Sequence, residues 1–152
     1  MEDLKYSFEI NAVWSEDKTV QVSSPAFTEP ITTTIPPPFT HGIAGHWSAE
    51  HLFLASLASC FAHTFQIIAD LTELPFDSFT CNISGDAEKI DHVFAFHSVK
   101  LFPTLIIPLE TYRSKAESVL EKMESNCIIA NSVKTQIIIE TKILVSELVS
   151  SE

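Results

Sequence analysis

Alternating apolar and polar positions predict three strands near the start of the chain, at residues 5–14, 18–23 and 31–35. The third strand should end at Pro36, because the run of three prolines that begins there cannot donate hydrogen bonds to a neighbouring strand. The following loop, residues 36–47, holds Gly42 and Gly45, two of only three glycines in the chain. Glycine there suits a loop that approaches other backbone closely.

A long apolar helix is predicted from Ser48 to about Leu71. Ser48 is a good N-cap, and Glu50 lies in the first turn, where the helix dipole favours a carboxylate. Apolar residues cover nearly the whole circumference, so we expect the helix to be enclosed on most sides.

The second half of the chain predicts two more strands, a helix, a short turn or helix, and a last strand. These elements span residues 78–88, 92–107, 110–125, 127–132 and 134–147. Pro103 should mark a bend or a sheet edge. The order βββ-α-ββ-α-β indicates an α+β fold, and the length of 152 residues indicates a single domain over 1–152.

Composition narrows the classes of function. The net charge of −11, from 20 acidic and 9 basic residues, argues against binding to nucleic acid or to an anionic membrane surface. Hydrophobic residues make up 45% of the chain, which predicts an extensive subunit interface.

The N-terminal residues, the long helix and the cysteines indicate the cellular location of the protein. The N-terminal residues are charged and lack the apolar core of a signal peptide, and the long helix carries too many polar residues for a convincing membrane span. Three cysteines without a secretory signal indicate a reducing, cytoplasmic location in which a redox thiol is admissible.

Cys60 is the first candidate for thiol chemistry, although free cysteine is often only a small buried hydrophobe. It lies too far along the helix for the N-terminal dipole to help ionise it. A cation or strong donor must therefore reach it from elsewhere, and the candidates are His63, one turn away, Lys18 and Lys134.

Cys127 and Cys81 are the other two cysteines. Cys127 follows a helix between two turn-forming asparagines, Asn126 and Asn131, which predicts an accessible thiol. A bridge to Cys60 requires a Cα separation of roughly 4.4–6.8 Å, which sequence spacing leaves open. Cys81 falls on the apolar face of an alternating strand and is predicted to be core.

Histidines recur at positions 41, 46 and 51, which raises the question of a metal site. A spacing of five shares no face on a helix or strand, and no short paired-ligand motif is present, so we expect no bound metal. Arg113 is the only arginine.

Two motifs resemble those of the OsmC/Ohr family, the osmotically inducible and organic hydroperoxide resistance proteins. The first is WSAEHLFLASLASCF, residues 47–61, which is similar to the family's helix that opens on a carboxylate and leads to its reactive cysteine. The second is NCIIANS, residues 126–132, which is similar to the segment around the family's second cysteine. The strands that flank both motifs agree with this resemblance.

The resemblance implies an OsmC-like fold, in which two chains form an intertwined homodimer around centrally buried cysteine helices. It also implies reduction of organic hydroperoxides by thiols, with Cys60 as the peroxidatic and Cys127 as the resolving cysteine. Glu50 matches the carboxylate that holds a catalytic arginine. An external dithiol, often of the lipoyl type, would regenerate the thiols, and no resident cofactor is implied. Apolar residues such as Phe39, Phe53 and Phe61 would favour an organic peroxide.

The chain departs from the family pattern at three places. No arginine precedes Arg113, so Lys18, or else His41 or His46, would have to replace the family's activating guanidinium. Trp47-Ser48-Ala49 stands where the family has a proline before the glutamate. Ile128 stands where the family has a proline after the second cysteine. The alternative is a family member that binds a small apolar or thiol-containing ligand in the dimer pocket without catalysis.

Overall fold

The computed structural model describes residues 4–146. The backbone divides into two compact units, Met1–Phe53 and Leu54–Glu152, and the boundary falls inside the long helix. The single domain over residues 1–152 stays a prediction.

The first unit contains a three-stranded antiparallel sheet in the order β1-β2-β3. Its strands are β1 (Asn11–Trp14), β2 (Val20–Ser23) and β3 (Ile31–Thr33). All three predicted strands exist, but the prediction for the first was too long, because β2 pairs only with residues 11–14. The alternating side chains before β1 remain exposed: Leu4, Tyr6, Phe8 and Ile10. Alternation alone does not make a strand unless a sheet edge is available to pair with it.

The loop after β3 is held by backbone hydrogen bonds. The Thr34 amide donates to the Trp47 carbonyl at 2.9 Å, and the Ile43 amide donates to the Ile35 carbonyl at 2.9 Å. Gly42 lies against the proline run, since a Cβ at this position would come within 2.2 Å of the Pro36 carbonyl oxygen. This is the close approach that the glycines of the loop predicted.

We predict that Gly42→Ala destabilises the protein by about 1–3 kcal/mol, because the added methyl group meets rigid backbone. Gly45→Ala is the matched control, since a Cβ there meets nothing within 4 Å and only its positive φ of +85° is strained. Urea unfolding followed by circular dichroism measures both. An unchanged stability of Gly42→Ala would contradict the role of close approach at Gly42.

Helix α1 (Ala49–Leu71) begins as predicted. The Ser48 hydroxyl accepts the backbone N–H of His51 at 3.3 Å, which is an N-cap hydrogen bond. Six helical residues are buried: Leu57, Phe61, Thr64, Phe65, Ile68 and Ala69. Ile67 and Leu71 are 59% and 79% exposed, so the prediction that the helix is enclosed on most sides is wrong for a single chain.

By length and composition alone, α1 is also the one helix among residues 4–146 that could cross a membrane. The core helix of a folded domain passes the same test. The buried side chains of α1 match a core helix, and Phe65 stacks on Phe79 of the adjacent sheet with ring centroids 4.0 Å apart.

The second unit contains a sheet built on a long antiparallel hairpin. Its strands are β4 (Ser78–Ile90) and β5 (Val93–Ile107), followed by β6 (Gln136–Ile139) and β7 (Lys142–Val145). Asp91 and His92 join the hairpin with φ values of +48° and +67°, as a two-residue turn of the I′ kind requires. Both β6 and β7 pair parallel to β5.

The predicted last strand, residues 134–147, is broken into these two short strands, and residue 147 lies outside the described residues. β6 pairs with β5 up to Leu101, and β7 pairs with it from Thr104 onwards. Pro103 lies in the interval and has no N–H to donate, so the parallel ladder is interrupted there. Proline at this position therefore marks a break in the neighbouring strand, not an edge.

The helix predicted at 110–125 is confirmed with a break at Lys122. A 3-10 turn at Glu110–Tyr112 leads into α2 (Arg113–Glu121), and α3 (Met123–Asn126) follows the break. After Cys127, the short helix α4 (Ile128–Ser132) confirms the predicted turn or helix. The buried face of this unit consists largely of β5 and α2–α3 side chains: Val99, Leu101, Leu105, Ile107, Ala116, Val119, Leu120 and Met123.

Candidate functional site

Cys60 and Cys127, 67 positions apart in sequence, meet in the second unit. Their Sγ atoms are 2.6 Å apart, and both cysteines are free thiols. A disulfide bond is about 2.05 Å long, so the structure places the two sulfur atoms within reach of bond formation.

A tight corner between α3 and α4 positions Cys127. Its backbone is extended, with φ −83° and ψ 113°, and its sulfur accepts the Ala130 N–H at 3.4 Å, as an N-cap residue does. The flanking asparagines hold the corner, because Asn126 donates to the Lys122 carbonyl at 2.7 Å and Asn131 to the Ser125 carbonyl at 3.0 Å. The two turn-forming asparagines in the sequence are thus part of the scaffold around the thiol.

The Cys127 thiol is buried, with none of the residue exposed, so the prediction that it is accessible is wrong. The corner turns the sulfur inwards to cap α4, and the neighbouring Ile128 is 72% exposed. Burial, together with the hydrogen bond to Cys60, raises the pKa of Cys127 to about 11. Cys127 therefore remains a protonated thiol at neutral pH and donates to the sulfur of Cys60.

Cys81 is half-buried, on the same face of β4 as Phe79 and Ile83. The core prediction gave the right face but overstated the burial. Loss of hydration raises the pKa of this thiol to about 11 as well, which makes it a poor nucleophile at neutral pH.

Within residues 54–146, Cys127 is the hydrogen-bond partner of Cys60, and no cation bonds to either sulfur. Two of the predicted candidates, His63 and Lys134, are exposed and make no hydrogen bond to Cys60. Arg113 donates twice to Glu110, at 2.5 and 3.0 Å, in an exposed pair one helical turn apart.

Lys18 and Glu50 lie together in the first unit, where both line a cavity of about 740 Å³. The ammonium of Lys18 lies 3.4 Å from Nδ1 of His41, which lines the same cavity. No ion pair joins Lys18 to Glu50 in the described chain. Of the two loop histidines considered as replacements for an arginine, the structure places His41 beside Lys18, whereas His46 lines a separate cavity of about 250 Å³.

Both members of the Lys18–His41 pair have left-handed backbone, with φ of +67°. Lys18 closes the β1–β2 hairpin, donating its amide to Ser15, and His41 precedes Gly42, whose amide donates to Phe39. Turns of these kinds favour glycine at the left-handed position. A larger residue there costs about 1–2 kcal/mol, and such strain often collects at functional sites. Sequence inspection missed this pairing because nothing in the spacing of residues 18 and 41 indicates it.

Of the three phenylalanines expected in a substrate pocket, Phe39 lines this cavity, whereas Phe61 is fully buried in the core. No group of three or more His, Cys, Asp or Glu side chains suited to a metal ion occurs within residues 4–146. His51, one of the regularly spaced histidines, is bonded through Nδ1 to the Ser48 hydroxyl at 2.8 Å.

The model for the family described as OsmC-like protein matches residues 42–142. The chain belongs to the OsmC-like protein family. Similar solved structures include an OsmC-like protein from Mycoplasma pneumoniae, with 18% identity and a TM-score of 0.79, covering 93% of this chain and 99% of that one. An OsmC-like protein of unknown function from Vibrio cholerae has 20% identity and a TM-score of 0.79, with 90% and 99% covered. An organic hydroperoxide resistance protein from Elizabethkingia anophelis has 16% identity and a TM-score of 0.69, with 93% and 99% covered. The curated proteins provide no match.

These comparisons confirm the resemblance to the OsmC/Ohr family and the α+β, OsmC-like fold. The matched segment includes Glu50, Cys60 and Cys127 but not Lys18.

We predict that Ile128→Pro raises the free energy of unfolding by about 0.4–1 kcal/mol. Ile128 is the first residue of α4, where proline fits well, and the preceding Cys127 already has the extended backbone that proline requires. The melting temperature should rise by roughly 1–4 °C.

Ile129→Pro is the matched control for this variant. Proline at the second position of α4 would force Ile128 towards extended backbone, so this variant should lose stability. A lower melting temperature for Ile128→Pro would contradict the prediction that proline stabilises the corner between α3 and α4.

Proposed function

We propose that this chain is a thiol-dependent peroxidase that reduces organic hydroperoxides and serves in oxidative stress defence. The single observation that carries the proposal is the 2.6 Å separation of the Cys60 and Cys127 sulfur atoms. Family membership supports a peroxide-related role, and the resemblance of the two motifs is our reason for proposing Cys60 as peroxidatic and Cys127 as resolving.

The proposed reaction has three balanced steps. The Cys60 thiolate attacks one oxygen of the O–O bond, and with one proton this gives an alcohol and a sulfenic acid on Cys60. The Cys127 thiol then condenses with the sulfenic acid, which forms a disulfide and releases water. An external dithiol, for example one of the lipoyl type, reduces that disulfide by two exchanges and leaves as a cyclic disulfide.

The asymmetry of the two thiols supports this assignment of roles. Cys127 stays protonated at neutral pH, because burial raises its pKa to about 11, and it donates to Cys60. Cys60 is also the more exposed of the two, which suits the thiol that meets the peroxide first.

The catalytic roles of Glu50 and Lys18 are part of the proposal. Glu50 corresponds to the family's carboxylate, and Lys18 is the cation proposed in place of the missing arginine. Both line one cavity in the first unit, and the His41 ring accepts from Lys18 there. This neighbourhood supports a shared role for the three side chains.

We further propose an intertwined homodimer in the reducing cytoplasm. Exposed apolar side chains in both units support a second subunit, since a lone chain would leave them in water. They include Leu4, Tyr6, Phe8, Phe27, Ile67, Leu71 and Ile128.

We predict that one molar equivalent of cumene hydroperoxide removes both Cys60 and Cys127 thiols from the reduced protein. The product should be lighter by two hydrogen atoms and carry a disulfide between these residues, as intact-mass and peptide mass spectrometry would show. Cys60→Ser should consume no peroxide, whereas Cys127→Ser should consume one equivalent and stop at an oxidised Cys60.

Cys81→Ala is the matched control, and we expect it to turn over like the parent, since its thiol lies outside the pair. Turnover by Cys60→Ser at the parent rate would refute the assigned nucleophile. Oxidation of Cys60 without a bridge to Cys127 would refute the resolving role alone.

We predict that Lys18→Met lowers kcat/KM for cumene hydroperoxide by at least about tenfold, which corresponds to roughly 1.4 kcal/mol of lost stabilisation. Glu50→Gln should lower it in the same direction, because Glu50 corresponds to the family's carboxylate and lines the same cavity as Lys18. Lys89→Met, which removes an exposed lysine from β4, is the control. An unchanged rate in Lys18→Met would exclude lysine as the substitute for arginine.

A second candidate function is ligand binding without catalysis, which the cavity in the first unit favours. Its volume of about 740 Å³ falls within the range of roughly 300–1,000 Å³ that is typical of small-molecule pockets. Absence of peroxide consumption together with saturable ligand binding would support this function over the first.

A further inference from the structure

The cavity of the first unit has an apolar wall and a cationic rim. The wall is formed by Trp14, Val20, Ile35, Pro36 and Phe39. Lys18 and His41 are exposed side chains on the same lining, so they lie where the cavity meets solvent. The cavity is open, since Trp14, Ile35 and Phe39 are also partly exposed, and an apolar wall beside polar donors suits a ligand that is itself amphipathic.

The rim offers several hydrogen-bond donors in one place. The Lys18 ammonium uses one N–H on Nδ1 of His41, at 3.4 Å, and keeps two for another acceptor. An imidazole that accepts at Nδ1 carries its proton at Nε2, which adds a further donor. Glu50 lines the same cavity, but no carboxylate of the described chain forms an ion pair with Lys18, so the ammonium has no anionic partner within 4 Å.

The backbone of the pair argues for a role beyond turn formation. Lys18 and His41 both have φ of +67° at turn positions that glycine would fill without strain. Each turn thus keeps a long polar side chain at a conformational cost, and the two side chains meet at the same rim.

We propose that this cavity binds amphiphiles with a single oxyanion headgroup, such as medium-chain carboxylates, and that Lys18 and His41 hold the headgroup while the apolar wall holds the chain. Oxyanions accept well from lysine and imidazole donors, and a charged acceptor makes such hydrogen bonds stronger. The ligand would lie with its head at the solvent-facing rim, so the headgroup keeps part of its hydration. This binding property stands whether or not the thiols reduce peroxide.

Isothermal titration calorimetry of the full-length protein tests the proposal with decanoate, decyl sulfate, 1-decanol and acetate as probes. Decanoate and decyl sulfate should each bind at least about tenfold more tightly than 1-decanol, and acetate should bind more weakly than decanoate by a similar factor. Lys18→Met should weaken decanoate about tenfold and leave 1-decanol within about twofold, whereas Lys18→Arg should retain most of the affinity. Lys89→Met is the matched lysine control.

Lys18→Gly distinguishes a loss of binding from a loss of folding. Glycine suits the left-handed position, so this variant should not lower the melting temperature. It should lose decanoate affinity as Lys18→Met does. The ligand can also be located directly, since Trp14 and Trp47 are the only tryptophans. In Trp47→Phe, decanoate should change the fluorescence of Trp14, which lines the cavity.

Equal affinity for decanoate and 1-decanol, or unchanged decanoate binding in both Lys18→Met and Lys18→Gly, would overturn the proposal. If acetate bound as tightly as decanoate, the alkyl chain would contribute nothing, and the proposal that the ligand is an amphiphile would be wrong. Cys60→Ser separates this proposal from the thiol chemistry, because every residue named for the cavity lies within residues 14–50 and binding should persist without peroxide reduction.

Discussion

The sulfur of Cys127 makes two interactions at once, and the proposed chemistry depends on both. It accepts the Ala130 N–H as the cap of α4, and it donates to the sulfur of Cys60. The first interaction fixes the direction of the side chain, since a capping side chain must point back over the first turn of its helix. The second uses that direction to bring two distant thiols together. A residue that only filled the core would not need an extended backbone between two short helices.

The corner that carries Cys127 is rigid because its polar groups are satisfied locally. Asn126 and Asn131 donate to backbone carbonyls of residues 122 and 125, and the Cys127 amide donates to Glu124 at 3.2 Å. On the facing side, the sulfur of Cys60 belongs to a helix whose Leu57 and Phe61 are fully buried. Each thiol is therefore placed by a packed or hydrogen-bonded scaffold of its own, as a site that must hold a reactive geometry requires.

Much of this architecture follows from local patterns in the sequence. Ser48 before an apolar run predicted the start of α1, and period-two alternation predicted β4 and β5. The errors arose where distant partners decide the outcome. Residues 4–10 alternate but have no edge to pair with, and the last strand breaks opposite a proline some 40 positions away. The accessibility of Cys127 was misjudged for the same reason, because a turn sequence does not show which side of the turn faces the core.

The residues of the candidate site could likewise be predicted only in part from the sequence. The two cysteine motifs identified the family and named the thiols, but their separation depends on the packing of the second unit and cannot be read from spacing. The contact between Lys18 and His41 could not be predicted from the sequence. It joins a hairpin loop to a proline-rich loop, and both residues have left-handed backbone. Propensity rules place glycine at such turns, so a lysine or histidine there is informative only once the dihedral angles are known.

Pro103 affects where the sheet of the second unit can accommodate an inserted residue. Because β6 and β7 pair with separate stretches of β5 on either side of the proline, each short strand has its own register. Residues 140–141 join them as an irregular link whose one ladder-like bond, from the Glu140 amide to the Leu101 carbonyl at 2.9 Å, belongs to the first stretch. An extra residue inserted after Glu140 would leave both registers intact. This junction can therefore take up a change in chain length without shifting apolar side chains of β6 or β7 to the wrong face.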